Sequence, residues 1–456
     1  MSLVEVTLSP ARIEGSGLCI GCGACAGQDR GLMMRLDHYG QFKPGGPSLH
    51  RPERALEQIC PFSPVARDES RIASELFPLA PHSDSRIGRY EAAYVGYVEE
   101  AGFRENGSSG GLTTWVACEL LRLGLVDGVA HVGAGQTENG EPLFGYRISG
   151  SVTEVCARAK SRYFPVELSG VLAEIRARPG RYAIVGIPCF IKAVNLLRAQ
   201  DPQLRDRITH TLGLFCGHMK SARLAESFAW QLGAEMQDVS RLEFRRKEPG
   251  RPANWYRAEI ALRAGERRAE DWWNLVDGDW GAGFFQNSAC NFCDDVVAET
   301  ADISFGDAWV EPHQSDGRGT NVVVVRNAQI HRLLQEAAAQ QRLWLKGVDA
   351  DFVVETQAAG FRQRREGLAY RLAKRRRGIV PHKRVAPAAD GLPSKRRAIY
   401  TMRHQISSWS HRIFWLARML HRPTIYSAWA RLALTAYQAL AYSRGTLGAL
   451  LGRVWR

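Results

Sequence analysis

Three cysteines stand at regular spacing near the start of the sequence, in the stretch GLCIGCGACAG at residues 17–27. Cys19, Cys22 and Cys25 form a C-x2-C-x2-C motif, the spacing with which a loop directs successive thiolates to the corners of a 4Fe-4S cluster. Three ligands do not complete a four-ligand site. Cys60, followed by Pro61 as the last cysteine of such motifs often is, is the candidate fourth ligand. A structural zinc site, usually built from two C-x2-C pairs, and incidental thiols are the alternatives.

The other six cysteines divide into four that could form a second site and two that have a simpler explanation. Cys290 and Cys293 form another C-x2-C pair, and Cys189 and Cys216 each follow a predicted buried strand. Parallel strands end at one edge of a sheet, so these four cysteines could converge on a second four-ligand site. Spacing alone does not join cysteines that lie a hundred residues apart. The last two are better explained as small buried hydrophobic side chains: Cys118 and Cys156.

Two further stretches carry residues that could bind a cofactor. RENGSSGGLTTW places glycines and serines at the start of a predicted helix, where exposed N–H groups suit a phosphate or the edge of a flavin. A serine N-cap with flexible glycines explains the same pattern equally well. AKSRYF could bind anionic phosphates or stack on a ring, or it could be a solvated basic loop. The candidate cofactor-binding residues are Ser108, Ser109, Gly110, Gly111, Lys160, Ser161, Arg162 and Tyr163.

Three single residues complete the candidate chemistry. Pro188, in VGIPCF, ends a predicted strand and presents the following cysteine. Asp307, in ADISFGDAW, could bond to a cofactor ring or cap a helix. His218, two residues after a candidate ligand, is the candidate proton donor, with a satisfied structural histidine as the alternative. The sequence contains no nucleophile elbow, Walker loop or carboxylate pair typical of a hydrolase.

The elements that must position these residues indicate an α/β protein. Short apolar runs such as AAYVGYV, YAIVGI and NVVVVR read as strands separated by helical patterns, for example at residues 110–123. The turn-rich residues 1–80 predict a small ferredoxin-like iron–sulfur module ahead of an α/β body at 81–375. Residues 376–398 read as a linker, and 399–456 as a basic amphipathic helical tail.

Charge is distributed unevenly along the 456 residues, whose net charge is +13. Residues 361–456 hold 21 Lys and Arg against two acids, a net of +19, which leaves −6 for the first 360 residues. A basic helical tail with interleaved aromatics is typical of docking on an anionic membrane surface or a protein partner. Packing on the body is the alternative, and nucleic-acid binding is disfavoured for want of a recognisable fold. Without an apparent signal peptide, a cytoplasmic location is expected, with the inner membrane face as a docking site.

The order of these motifs resembles the coenzyme F420 hydrogenase/dehydrogenase beta subunit family. The landmarks run from Cys19 to about Arg371 and include GSSGG, VDGV, KSRYF, VGIPCF, LFCGH, EFRRK, CNFC, ADISFGDAW and GTNVVVVR. Family members include 7-hydroxymethyl chlorophyll a reductase and a ferredoxin-dependent divinyl chlorophyllide vinyl reductase. Two departures are Ile187, where the family usually has Thr, and Phe190, where it usually has Gln.

The resemblance implies an oxidoreductase with FAD and two 4Fe-4S clusters. The glycine–serine turn and Lys160 to Tyr163 would hold FAD, and the second cysteine group would bind the second cluster. Electrons from a ferredoxin-like donor, or from reduced coenzyme F420, would pass through the clusters to FAD and then to a small organic substrate. A place in polysaccharide biosynthesis is suggested by the family alone. An electron-transfer subunit docked on a catalytic partner is the alternative function. The sequence leaves the oligomeric state open.

Overall fold

The computed structural model describes residues 7–135, 142–375, 378–446, 448 and 449. The outer ends of the predicted N-terminal module and C-terminal tail, at 1–6 and 450–456, lie outside the described residues. So do the first two residues of the predicted linker, 376 and 377, and residue 447 of the tail.

The N-terminal region is a small mixed unit of short helices and hairpins. Ser9 caps the first helix by accepting a hydrogen bond from the N–H of Arg12, and Pro10 occupies its first position, where proline is favoured. Strands β1 and β2 pair antiparallel, as do β3 and β4. The elements are α1 (Pro10–Gly15), α2 (Ala24–Gln28), β1 (Met33–Leu36), β2 (Phe42–Gly45), α3 (Arg54–Ile59), α4 (Glu69–Leu76), β3 (His82–Asp84) and β4 (Gly88–Tyr90).

The body is built on a mixed sheet. Its strands and flanking helices are β5 (Ala92–Val98), α5 (Phe103–Asn106), α6 (Leu112–Arg122), β6 (Gly128–Ala134), β7 (Phe144–Ser149), α7 (Val152–Ala157), α8 (Ser169–Ala177), β8 (Tyr182–Gly186), α9 (Pro188–Gln200), α10 (Pro202–Arg207), β9 (Ile208–Leu214) and α11 (Arg223–Gln231). A small antiparallel sheet follows, with β10 (Val239–Arg246), β11 (Arg257–Leu262) and β12 (Arg267–Asp271). The body ends with β13 (Ile303–Asp307), β14 (Asn321–Val325), α12 (Ala328–Ala339), β15 (Leu343–Gly347), α13 (Ala350–Thr356), α14 (Ala358–Arg364) and α15 (Glu366–Lys374).

Within the described ranges the large sheet has eight strands, in the order β15-β5-β14-β13-β9-β8-β6-β7. The inner strands β6, β8, β9 and β13 run parallel, and the outer pairings are antiparallel. The parallel strands are almost wholly apolar because helices cover both faces. Helices α6 and α12 pack on one face, and α8 and α9 on the other. The predicted α/β class is therefore confirmed.

The segment predicted as a linker is irregular over 378–393 and lies against the body. Lys383 and Arg384 are buried there and form ion pairs with Asp294, and Arg384 also pairs with Glu299. The predicted boundary at 398 is five residues too late, because the next helix begins at Ser394, directly after Pro393, with residues that favour helix.

Two long helices follow, α16 (Ser394–Met419) and α17 (Pro423–Tyr442), and they form an antiparallel pair that we call the helical hairpin. Its inner face joins the core around α11 and the small sheet, with Phe414, Tyr426 and Leu440 packed among Phe228, Phe285 and their neighbours. The sequence favoured docking of this tail over packing, and the structure shows that its inner face packs on the body. No helix in the described part of the chain is long and apolar enough to cross a membrane.

Candidate functional site

The first cysteine set lies in the N-terminal unit. Cys19 and Cys22 are in the loop before α2, Cys25 is in α2, and Cys60 directly follows α3. All four line one small, mainly apolar cavity, together with Ile13, Ile20, Leu56 and Pro61 among others. The structure therefore brings the distant Cys60 to the three cysteines of the motif.

A tight backbone turn makes this arrangement possible. Gly21 has φ +79°, and a Cβ atom there would lie 2.5 Å from the carbonyl oxygen of Phe42. Only glycine adopts this conformation and this approach without strain. Beside the turn, the Lys43 ammonium donates a hydrogen bond of 3.0 Å to the carbonyl oxygen of Cys19. The turn thus carries a positive charge close to the thiols.

The thiols of this set are strongly perturbed. Burial raises the pKa of Cys60 to about 12, and burial followed by the charge of Cys60 raises the pKa of Cys22 well above its usual value. Thiols ligate metals as thiolates, and thiolates that are kept from water and repel one another need a multiply charged centre. The donor chemistry therefore fits an iron–sulfur cluster.

The second set gathers at the carboxyl edge of the parallel strands, as the sheet-edge argument predicts. Cys189 lies in the first turn of α9 after β8, where Pro188 occupies the first helical position. Cys216 lies two residues after β9. Cys290 lies within the short turn Ser288–Phe292, and Cys293 directly follows it. Each of Cys216, Cys290 and Cys293 contributes to raising the pKa of Cys189, after burial.

The remaining thiols of the second set are similarly perturbed. Burial raises the pKa of Cys216 to about 12 and that of Cys290 to about 11. The Sγ atom of Cys290 accepts a hydrogen bond of 3.3 Å from the N–H of Met219. Such N–H···S contacts are among the features that set the potential of a cluster. This donor set also fits an iron–sulfur cluster by its chemistry.

Neither set is shaped around a single ion. In the part of the chain that the structure describes, no group of three or more His, Cys, Asp or Glu side chains is arranged to hold one metal ion. A tetrahedral zinc site holds its cysteine sulfurs about 2.3 Å from the metal. In neither set does the structure place the sulfur atoms around one point as such a zinc site requires.

The two cysteine sets are neighbours. Cys22 of the first set is close enough to Cys189 of the second to raise its pKa. Tyr146 lies beside both sets. Burial raises the pKa of its hydroxyl, and the charges of Cys189 and Cys22 raise it further. Its hydroxyl donates to the carbonyl oxygen of Val185 at 2.9 Å, and its ring packs 6.4 Å from that of Phe190. A buried aromatic pair therefore adjoins the junction between the two sets.

Buried arginines surround the second set. Arg364, at the end of α14, lies near Cys293 and Cys216, whose charges hold its pKa above the usual value although burial opposes this. Its Nε atom has no hydrogen-bond partner in the described structure. The Nε–H of Arg371 donates to the carbonyl oxygen of Asn291, between the two cysteines of the pair, at 2.7 Å. The site thus places positive charge against the thiols.

The two stretches predicted to bind a cofactor meet. The N–H of Ser161 donates to Oγ of Ser108 at 2.8 Å, and the hydroxyl of Ser109 donates to the carbonyl oxygen of Thr320 at 3.0 Å. Gly111 is the residue before α6 and has φ +86°. Gly110 packs so closely on the strand edge that a Cβ atom there would lie 2.8 Å from the carbonyl oxygen of Gly96. The serine side chains hold loops together and do not cap α6.

The basic stretch is only partly solvated. Lys160 forms an ion pair of 2.9 Å with Glu243 and has φ +113°, an unusual conformation for lysine. Arg162 is largely buried over the ring of Phe144, its Nε atom has no hydrogen-bond partner among the described residues, and burial lowers its pKa to about 10. Its Nη2 donates to the carbonyl oxygen of Ala159 at 3.3 Å, so the free Nε–H is the donor that could meet an anionic ligand. A simple solvated loop therefore does not describe this stretch.

Tyr163 and Asp307 lie on a common aromatic and charged wall. Tyr163 packs at 4.8 Å from Trp280 and 5.6 Å from Trp272, and its pKa is raised by burial. Asp307 ends β13 and accepts two hydrogen bonds from Arg245, at 2.9 and 3.1 Å. Asp307 therefore makes a buried ion pair, and the capping alternative does not describe it.

This wall adjoins the second cysteine set. Tyr163 packs on Trp280, and Trp280 in turn packs so closely on Gly217, the residue after Cys216, that a Cβ atom there would meet its indole ring. The predicted cofactor-binding stretch and the second cysteine set therefore belong to one continuous site.

His218 lies between this wall and the helical hairpin. Its ring stacks on Trp280 at 4.5 Å, and its Nδ1 accepts a hydrogen bond from Nη2 of Arg403 at 3.2 Å. Its Nε2 is buried without a hydrogen-bond partner in the described structure. Burial, then Lys220 and Arg403, lower its pKa well below the usual value. His218 is a neutral imidazole with one unsatisfied nitrogen, so it is not a fully satisfied structural histidine.

A polar cavity of about 530 Å³ opens near the cofactor-binding stretch. Lys160, Arg246, Lys247, Arg267 and Arg268 line it, with Glu105, Glu243 and Glu259. The ammonium of Lys247 donates to the carbonyl oxygens of Arg104, Ser109 and Arg318, and burial followed by the charge of Lys160 lowers its pKa to about 7. The cavity suits an anionic ligand.

Comparison with known proteins places this architecture in a class of redox subunits. Two models of the coenzyme F420 hydrogenase/dehydrogenase beta subunit match the chain, the N-terminal model over residues 93–173 and the C-terminal model over residues 180–351. Together the models cover more than half of the chain. The protein therefore belongs to the coenzyme F420 hydrogenase/dehydrogenase beta subunit family, and this membership gives it an oxidoreductase-related, electron-transfer role.

One solved structure supports the fold. The chain is similar to a chain of the xenon-derivatised F420-reducing [NiFe] hydrogenase complex from Methanosarcina barkeri, with 16% sequence identity and a TM-score of 0.50. The similarity covers 66% of this chain and 99% of that one. At this identity the match concerns the fold alone. No curated protein sequence matches the chain significantly.

Several residues of the site were not identified from sequence. Arg245 and Lys247 stand in EFRRK, a family landmark whose role the sequence does not reveal. Tyr146 and Trp280 sit in unremarkable stretches. The arginines that face the second set from the C-terminal elements, Arg364, Arg371 and Arg403, carry no local signal because they are brought in from outside the motifs.

Proposed function

We propose that this protein is an iron–sulfur flavoprotein oxidoreductase that takes electrons from a ferredoxin-like donor or reduced coenzyme F420 and reduces a small organic substrate in the cytoplasm. The observation that carries the proposal is the continuity of the site. Members of both cysteine sets, among them Cys22 and Cys189, belong to or pack against one hydrophobic cluster. Trp280 links Gly217, next to Cys216 of the second set, to Tyr163 of the stretch expected to hold FAD.

In this proposal the first cluster is held by Cys19, Cys22, Cys25 and Cys60, and the second by Cys189, Cys216, Cys290 and Cys293. When bound, the clusters would supply single-electron transfer and FAD would supply hydride transfer. Ser108 to Gly111, Lys160 to Tyr163, Pro188 and Asp307 are the residues proposed to hold or position FAD.

The protein's own side chains would bind, orient and shield these groups. Arg162 offers its unpaired Nε–H to an anionic group, and the Arg245–Asp307 pair fixes charge beside the ring of Tyr163. His218 offers its Nε2 as a proton donor, since Arg403 donates to Nδ1 and thereby leaves the proton of a neutral ring on Nε2. A polysaccharide precursor as the substrate stays a prediction from sequence.

The test is anaerobic purification followed by iron, sulfide and flavin analysis. Two 4Fe-4S clusters predict about eight irons per chain. Cys22→Ser and Cys290→Ser should each lose about half of the iron, from different clusters. Cys118→Ser is the matched control, because Cys118 is buried within α6 and contacts Cys156 of α7, in a different hydrophobic cluster from both sets. Colourless protein with fewer than about four irons per chain would refute the two-cluster form.

An electron-transfer subunit without a substrate of its own is the second candidate. The similar chain from Methanosarcina barkeri is part of a multi-subunit complex, and this supports a protein partner for the present chain. The two functions differ in a simple measurement. A pure protein that oxidises its donor only when an artificial acceptor or a second protein is present would favour the second candidate.

A further inference from the structure

The outward side of the helical hairpin carries a row of exposed apolar side chains. Six of them form what we call the outer stripe: Trp409, Trp415, Leu416, Met419, Leu420 and Leu432. Leu432 is 73% exposed and Met419 is 62% exposed. Single exposed apolar residues are ordinary on protein surfaces, but a contiguous group of them marks an interaction site.

The outer stripe is distinct from the face that holds the hairpin to the body. On α16, Ile406, Phe414 and Ala417 point inward and are buried, whereas Trp409, Leu416 and Leu420 recur at helical spacing on the opposite side. The helix is therefore apolar on two faces. Packing on the body explains the inner one. Apart from an edge contact between the rings of Trp415 and His38 at 6.1 Å, packing within the described part of the chain does not explain the outer stripe.

Basic side chains accompany the stripe. Arg412, Arg422 and Arg431 are exposed beside it, and the guanidinium of Arg412 lies 5.2 Å from the ring centre of Trp409. Residues 391–456 contain eleven Lys and Arg and no Asp or Glu. Residues 1–390, by contrast, have a net charge of only +2. A negatively charged surface would therefore attract the hairpin far more strongly than the rest of the molecule.

We infer that the outer stripe docks this protein on the surface of an anionic lipid bilayer, with the hairpin lying in the plane of the interface. Trp, Leu and Met on one face flanked by Arg are typical of helices that bury their apolar side at the boundary between headgroups and acyl chains. Trp favours that depth, and arginine side chains reach from it to lipid phosphates. This inference concerns location and goes beyond the proposed redox chemistry.

Lipid fits the patch because the patch is basic and runs along a helix. Five of its six side chains lie in α16 or at its C-terminal end, and Leu432 lies on α17 beyond the turn at His421. The charge is of one sign over the whole hairpin. A protein partner and a second copy of this chain are the competing occupants, and the second copy would bring like charges together.

Co-sedimentation of the intact holoprotein with vesicles tests the inference. We expect binding to vesicles of phosphatidylglycerol and phosphatidylcholine in equal parts to be at least about tenfold stronger than to phosphatidylcholine alone, and to weaken as salt is added. Met419→Ser combined with Leu420→Ser should weaken binding about tenfold, and Arg412→Gln combined with Arg422→Gln should abolish the preference for the anionic lipid.

Matched controls separate the stripe from general surface effects. Leu79→Ser changes an apolar residue that is 90% exposed elsewhere, and Arg71→Gln changes an exposed arginine of α4; neither should alter vesicle binding. Iron and flavin contents of all variants should equal the wild type, which keeps a failure of docking distinct from a failure of the redox proposal. Equal binding to both lipids, wild-type protein that stays in the supernatant, or a dimer that the Met419 and Leu420 substitutions dissociate would overturn the inference.

Discussion

Replacing Phe414 by alanine should destabilise the whole protein. Phe414 is fully buried in α16, stacks on Trp230 at 4.4 Å and meets the edges of Tyr426 and Phe285 at 5.0 and 5.3 Å. Truncating a core phenylalanine costs about 3–5 kcal/mol, and three aromatic contacts place this site at the upper end. Since domains of this kind are stable by only about 5–15 kcal/mol, the loss is a large share of the total.

The measurement is urea unfolding of the holoprotein, followed by tryptophan fluorescence. Met419→Ala is the matched control, because Met419 is in the same helix but faces outward, and its free energy of unfolding should stay within about 0.5 kcal/mol of the wild type. If Phe414→Ala is also that close to wild type, the inner face of the hairpin does not pack on the body. The same packing means that deletion of 394–456 should yield aggregated protein, so a deletion cannot test for a partner.

Three further predictions concern charge and cysteine chemistry. Arg364→Gln should lower the midpoint potential of one cluster by on the order of 100 mV in an EPR redox titration, because a nearby unit charge contributes about 2–4 kcal/mol at an effective dielectric constant near 20. An unchanged potential would refute this role of Arg364. Lys383 and Arg384 hold the pKa of Asp294 well below its usual value although burial opposes ionisation. The ionised Asp294 therefore stabilises the fold above about pH 4, and this stabilisation is lost as the pH falls below that value. Asp294→Asn should cost about 3–5 kcal/mol at pH 7 in the same unfolding assay, by leaving buried cations uncompensated, and a cost under about 1 kcal/mol would contradict it. Cys156→Ser should leave iron and sulfide contents unchanged.

Local spacing and sheet geometry predicted much of the arrangement of the cysteines. Cys19, Cys22 and Cys25 are identified by a short-range motif, and the sheet-edge rule correctly gathers Cys189 and Cys216, because parallel strands end at a common edge. The structure brings the members of each group together. Their occupancy by clusters is a matter for the iron analysis.

Contacts between distant elements could not be predicted from the sequence. Tyr146 and Arg364 adjoin the cysteine sets from β7 and α14, and no periodicity or spacing links them to the motifs. The packing of the tail could not be predicted for a related reason. Its sequence shows aromatics and arginines on every side, and hydropathy alone does not say which apolar face of α16 meets the body and which meets solvent. Three-dimensional packing separates Phe414 from Met419.

The C-terminal elements bring charged residues to the second cysteine set and to His218. Both family models end by residue 351, yet Arg364 and Arg403 lie beyond that point and reach the second cysteine set and His218. Four buried thiolates carry a charge that neighbouring cations must help to balance, and here those cations come from segments outside the family models. The inner face of the helical hairpin carries Arg403, and its outer face carries the outer stripe. A surface that docks on lipid would then be rigidly joined, through one helix, to a residue that contacts the proton donor proposed for the site.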